Sequence, residues 1–199
     1  MHITGPAVYT VFRHQNNPPM TTETLDQAAI ISFLDDTVSQ LQKLVLPLDD
    51  KDINTIPFAG SWTAGMLCRH VTKVIEGISG AMQRPSKPAG RNADERVAEL
   101  KKTFLDFSTK MKAPGMVVPE EEVYQKQDTV DKLTAAVAHF KEVAGNQNKN
   151  ELVSGLQLGD ITKLELQHFV LYHTQRHLHQ LENIVDALRN KQIPAGQPS

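Results

Sequence analysis

The sequence holds one cysteine, Cys68, and one tryptophan, Trp62, and aromatic residues make up only 6% of its 199 positions. A single thiol excludes an intramolecular disulfide and suits a reducing compartment. Long apolar runs are missing, since none approaches the ~18–20 residues of a membrane-spanning helix. The opening residues include His2, Arg13, Asn16 and Pro18 and hold no continuous apolar stretch of the kind a secretory signal needs. A soluble, cytoplasmic protein is expected. An excess of either charge is also lacking: 21 Lys+Arg stand against 23 Asp+Glu, a formal net charge of -2. Without a basic excess or a Lys/Arg stripe, neither nucleic acid nor a membrane is expected as a partner; the partner expected from the site described below is a small-molecule substrate. There is no Gly-rich phosphate loop and no Gly-x-Ser-x-Gly elbow.

What is present is ordinary globular material, 40% hydrophobic and 22% charged, enough for one sizeable core. Residues 1–20 read as an irregular appendage, broken by Gly5-Pro6 and Asn16-Asn17-Pro18-Pro19, with a short apolar run from Val8 to Phe12 that could dock on the rest. Residues 21–189 carry helical periodicity, and 190–199, with Pro194, Gly196 and Pro198, read as a tail. Within the central part, Ile30, Leu34, Val38, Leu41 and Val45 predict a helix over 23–45. A second helix is expected over 61–83 with Ser61 as N-cap, and a third over 93–111 with Phe104, Phe107 and Met111 on its stripe. A fourth is expected over 128–143 and a fifth over 160–188. Five helices with almost no strand signal predict an all-α bundle, and the long connections at 47–60, 84–93 and 112–127 suit crossovers between parallel neighbours.

Histidine is the unusual residue. There are eight, and four of them (His168, His173, His177 and His179) fall within twelve positions. At ~100° per residue His173 and His177 share one face of the fifth helix, a turn apart, among Leu166, Phe169, Val170, Leu181, Ile184 and Leu188. His168 and His179 rotate away from that stripe and are expected at the periphery. His70 sits among Met66, Leu67, Val74 and Ile78 on the second helix. A lone imidazole on an apolar face is ordinarily a satisfied core histidine. Three pointed inward from two helices fit one divalent ion better, because each neutral ring offers a nitrogen lone pair to a positive centre. Cys68 and Trp62 are expected to be packing residues. Glu120 to Glu122 read as a solvated loop tip. Glu165 and His168 give one Glu-x-x-His match, whereas a di-iron bundle needs two.

At these residues the chain resembles the DinB/YfiT-like superfamily of metal-binding bundles. Ser61-Trp62-Thr63 followed by His70 resembles one of its signatures. Leu158-Gly159-Asp160 leading into Tyr172-His173 and on to His177 and Gln180 resembles the other. The resemblance spans about residues 23–188 and implies a four-helix core in an up-up-down-down arrangement with an additional helix or irregular connections. It also implies one Zn or Ni ion on His70, His173 and His177. Gln180 is expected either to orient a ligand from just outside the metal shell or to make an ordinary interior hydrogen bond.

Three histidines leave a coordination position open, which is the catalytic rather than the structural arrangement of such a site. A thiol entering that position becomes a thiolate, and a bound water becomes a hydroxide source. The resemblance implies the first: a thiol S-transferase using a low-molecular-weight thiol such as bacillithiol, in detoxification or stress response. A metal-dependent hydrolase and a non-catalytic, dimeric metal-binding bundle are the alternatives, and a homodimer is the assembly to test.

Overall fold

Asp26 opens the first helix by accepting the Ala29 backbone N–H on its carboxylate, which satisfies one of the donors that a helix start leaves free. The computed structural model describes residues 24–192. The expected appendage 1–20 and residues 193–199 of the expected tail lie outside the described residues. Helix α1 runs Gln27–Val45 and buries Ile30, Leu34, Val38, Leu41 and Val45, the stripe its periodicity predicts. Helix α2 runs Ala64–Met82, and its cap is Thr63, which accepts from the Met66 N–H. Ser61 is not the cap, because its hydroxyl donates instead to the Trp62 carbonyl.

Helix α3 spans only Val97–Leu105. The expected extension to Met111 fails at Asp106, whose carboxylate accepts from the Ser108 backbone and hydroxyl and from the Thr109 hydroxyl. A local side-chain turn of this kind competes with the next helical bonds. Phe107 and Met111 are therefore exposed instead of continuing the stripe. Helix α4 runs Lys126–Gly145 and buries Leu133, Val137 and Phe140. Helix α5 runs Lys163–Gln192.

Hydrogen bonds fix the helix directions. Lys141 pairs with Asp35 and Gln42 donates to Thr134, so α4 opposes α1. Gly65 at the start of α2 meets Tyr124 just before α4, and Gln83 past the end of α2 reaches His139 in the second half of α4, so α2 and α4 are parallel. Lys163 at the start of α5 bonds Gln147 just beyond α4, while Lys191 at its end reaches the Ile56 carbonyl ahead of α2, so α5 opposes both. The all-α bundle with an additional helix is as expected, but its four long helices run up-down-down-up instead of up-up-down-down. The reason lies in the α2–α4 connection, which carries α3 back alongside α5 and lets α4 start at the same end as α2.

A small antiparallel sheet stands where an irregular connection was expected. Strands β1 (Lys87–Pro88), β2 (Glu151–Leu156) and β3 (Gly159–Thr162) pair in that order. Val153 faces Ile161 across the hairpin, and both are buried against the core. Gly155, at the irregular step between Val153 and Leu156, and Gly159, the partner of Leu156 at the start of β3, both take positive φ, a conformation that favours glycine.

The hairpin feeds directly into α5. Thr162 accepts the Glu165 N–H on its hydroxyl, while the Glu165 carboxylate accepts the Thr162 N–H, a reciprocal cap that sets where the helix begins. From that start α5 packs against α1, α2 and α3 together. Its first half is consequently buried almost all round, and it holds the two histidines at the centre of the bundle. Among the described residues no helix is long and apolar enough to cross a membrane.

Candidate metal centre

Helix α2 presents His70 and α5 presents His173 and His177, a turn apart on one face. All three rings are buried. The Nε2 atom of His173 lies 3.1 Å from Nε2 of His70 and 3.1 Å from Nε2 of His177. Nitrogens that share one ion at ~2.0–2.1 Å stand about 2.9–3.4 Å apart. The three residues together could hold a metal ion.

The outer ring nitrogens decide the protonation. His70 Nδ1 lies 2.8 Å from the Val117 carbonyl oxygen, which can only accept. His177 Nδ1 lies 3.0 Å from Gln180 Oε1, also an acceptor. Each Nδ1 therefore carries the proton of its neutral ring, and each Nε2 presents a bare lone pair. One proton on His173 Nε2 can serve only one of its two 3.1 Å contacts, which leaves lone pair facing lone pair at the other. A cation between them removes that conflict. His173 Nδ1, by contrast, is buried with no hydrogen-bond partner, and the His173 ring packs beside those of Phe104 and Phe169.

Charge on these rings is suppressed. Burial lowers the pKa of His173 well below 6.5, and the adjacent His177 and His70 lower it further. Burial, then His70, brings His177 down to about 3, against the opposing bond to Gln180. His70 is lowered by burial, partly offset by its bond to Val117. Neutral imidazoles are the form that ligates a metal.

The other sequence candidates separate clearly. Gln180 does contact the cluster, through His177. His179 is exposed and stacks on Phe107, ring centroids 4.4 Å apart. His168 is not peripheral: it is fully buried, with Nδ1 donating to the Leu164 carbonyl and Nε2 unpartnered. A single-face wheel misplaces it because α5 is covered on several sides. Cys68 is a buried packing residue whose thiol burial pushes up to about 12, unsuited to nucleophilic work. Trp62 is half-buried with its ring 4.9 Å from that of His70, so it flanks the site more than it anchors the core.

Glu120 is no free loop tip, since it pairs with Arg69 and Lys73 beside His70. Val117 contributes only a backbone carbonyl, for which a sequence carries no residue signal. A cavity of about 390 Å³ between α1, α3 and α5 is lined by Phe33, Leu105 and Tyr172 but by none of the three histidines. No described carboxylate hydrogen-bonds any of the three rings.

A mostly helical bundle with three buried histidines converging from two helices defines the class of protein. Residues 34–181 match the DinB superfamily, a span that includes all three histidines and Gln180, and the chain belongs to that superfamily. It has no match among curated proteins or solved structures.

Proposed function

We propose that this protein is a metal-dependent thiol S-transferase in which His70, His173 and His177 hold one divalent ion, Zn or Ni. The observation that carries the reading is the convergence of three Nε2 atoms with at most one proton among them. The superfamily is typically metal-binding, which agrees. An ion with an open position supplies Lewis acidity that favours a thiolate over a thiol. The chain's own groups do the rest. Gln180 and the Val117 carbonyl fix the tautomers of His177 and His70, burial keeps the rings neutral, and Phe104 and Phe169 exclude water around His173. A low-molecular-weight thiol of the bacillithiol kind is the co-substrate and a small electrophile the acceptor.

Hydrolysis is the weaker alternative. It gains from a general base near the ion, and Glu165, the buried carboxylate of α5, is fully engaged elsewhere. Loss of free thiol in the presence of halo-aromatic and epoxide electrophiles tests the proposal. Turnover by Zn- or Ni-loaded protein that disappears in His173→Ala is expected. No thiol consumption across the panel overturns it, and ester cleavage without added thiol replaces it with the hydrolytic reading.

A further inference from the structure

The three rings are oriented by different means. His177 finds its acceptor three residues along its own helix, and His173 has none. His70 depends on a carbonyl from a segment 47 residues away in sequence. That segment is a short 3-10 turn, Gly115–Val117, within an otherwise irregular stretch, so something must hold it against α2.

The fastening is visible. Glu120 accepts from Lys73 at 3.0 Å on one carboxylate oxygen and from the Arg69 Nε at 3.2 Å on the other. Lys73 also donates to the Val118 carbonyl at 2.8 Å. Arg69 and Lys73 are one turn apart and bracket His70 along α2, so a carboxylate bridging them pins the strap over the turn that carries His70. Beyond it, Tyr124 closes the far end of the strap, its hydroxyl donating to the Glu120 carbonyl at 2.6 Å. Its backbone N–H and carbonyl both bond Asn54, and its ring lies against Gly65. Lys73 on the Val118 carbonyl and Tyr124 on the Glu120 carbonyl also hold residues 117–120, but only the Glu120 carboxylate joins the strap to Arg69 and Lys73 at once.

We infer that Glu120 is a positioning residue: by clamping the 117–120 strap to Arg69 and Lys73 it holds the Val117 carbonyl on His70 Nδ1 and so turns the His70 Nε2 lone pair toward His173 and His177. This rests on the reading of His70 as a metal ligand, but the tautomer it predicts exists without metal.

The test uses the full chain and a Glu120→Gln variant, which keeps size and removes charge. Long-range ¹H–¹⁵N spectra of the imidazole rings are recorded on metal-free protein. Affinity for Zn(II) and Ni(II) and the thermal midpoint are measured alongside. Wild type should show His70 as a single Nδ1–H tautomer. Glu120→Gln should show a mixture, with metal affinity falling ~10- to 100-fold, the range for loss of a ligand's outer hydrogen bond. Its metal-free thermal midpoint should stay close to wild type. Gln180→Ala should alter the His177 signals and leave those of His70 unchanged. If His70 keeps one Nδ1–H tautomer in Glu120→Gln, the inference is wrong, even if affinity drops. Should the wild type bind no metal, the metal reading fails while the tautomer comparison still decides the role of Glu120.

Discussion

Removing the Glu165 carboxylate should cost about 3–5 kcal/mol without touching His70, His173 or His177. The side chain is fully buried and each of its oxygens accepts two bonds. Oε1 takes the Arg91 Nη1 at 2.6 Å and the Arg96 backbone N–H at 2.8 Å. Oε2 takes the Arg91 Nη2 at 2.7 Å and the Thr162 N–H at 2.9 Å. Burial alone would raise the pKa of this carboxyl, but the Arg91 guanidinium and the two N–H donors outweigh it and hold it below its ordinary range.

Glu165→Ala leaves two backbone donors and part of a guanidinium without their acceptor. Unsatisfied buried donors cost about 1–3 kcal/mol each, and breaking a buried ion pair from one side costs about 3–5 kcal/mol. Arg91 keeps a fifth of its side-chain surface in water and can partly rehydrate when Glu165 is removed, whereas Arg91→Ala strands the fully buried carboxylate on two backbone donors and should cost at least as much. Glu165→Gln should cost less than Glu165→Ala, because its amide oxygen still accepts while its N–H₂ must face two donors. Urea unfolding monitored by circular dichroism reads all three. A Glu165→Ala loss under about 1 kcal/mol, or an Arg91→Ala protein as stable as wild type, would refute the reasoning. Metal affinity of folded Glu165→Ala should match wild type, since the residue caps α5 and ties down the 91–96 loop, far from the ligands in role.

Two further outcomes follow from the same structure. The lowered histidines make the metal-free protein acid-labile: the unfolded chain takes up protons near 6.5, whereas folded His177 resists until about 3. Their contribution is complete above 6.5 and is lost as pH falls below it, at about 1.4 kcal/mol per pH unit for each such ring. Urea midpoints that stay level between pH 7.5 and 5.5 would contradict this. On α2, glycine replacement should change sign with position. A Cβ at Gly65 would lie 2.7 Å from the Tyr124 Cβ, while Gly77 has nothing within 4 Å. Gly65→Ala should therefore destabilise by about 1–3 kcal/mol, and Gly77→Ala should stabilise by about 0.5–1 kcal/mol. A thermal midpoint of Gly65→Ala that stays level or rises would show that the Tyr124 contact carries no weight.

Much of this was legible from periodicity. The α1 stripe is buried as its spacing predicts, and the helical wheel turns His70, His173 and His177 inward because their neighbours at three and four residues are apolar. The wheel fails at His168 because it assumes one buried face, and α5 has neighbours on several. It fails at Phe107 because Asp106 offers the chain a local turn that competes with helix. The β2–β3 hairpin hides behind Gly155 and Gly159, which read as loop, and its apolar run at Leu152-Val153 is too short to show alternation. Thr162-x-x-Glu165 carries a readable capping pattern in the sequence, yet a start at Asp160 fits the same periodicity. The long-range ties, Glu120 to Arg69 and Lys73 and Val117 to His70, join segments that no local pattern relates.

Metal content of wild-type protein purified without a histidine tag tests the central claim most directly, with His70→Ala, His173→Ala and His177→Ala measured beside it. About one Zn or Ni per chain is expected, lost in each variant while helical circular dichroism persists. A wild type that holds no ion after reconstitution, or variants that hold as much as it does, would contradict the account.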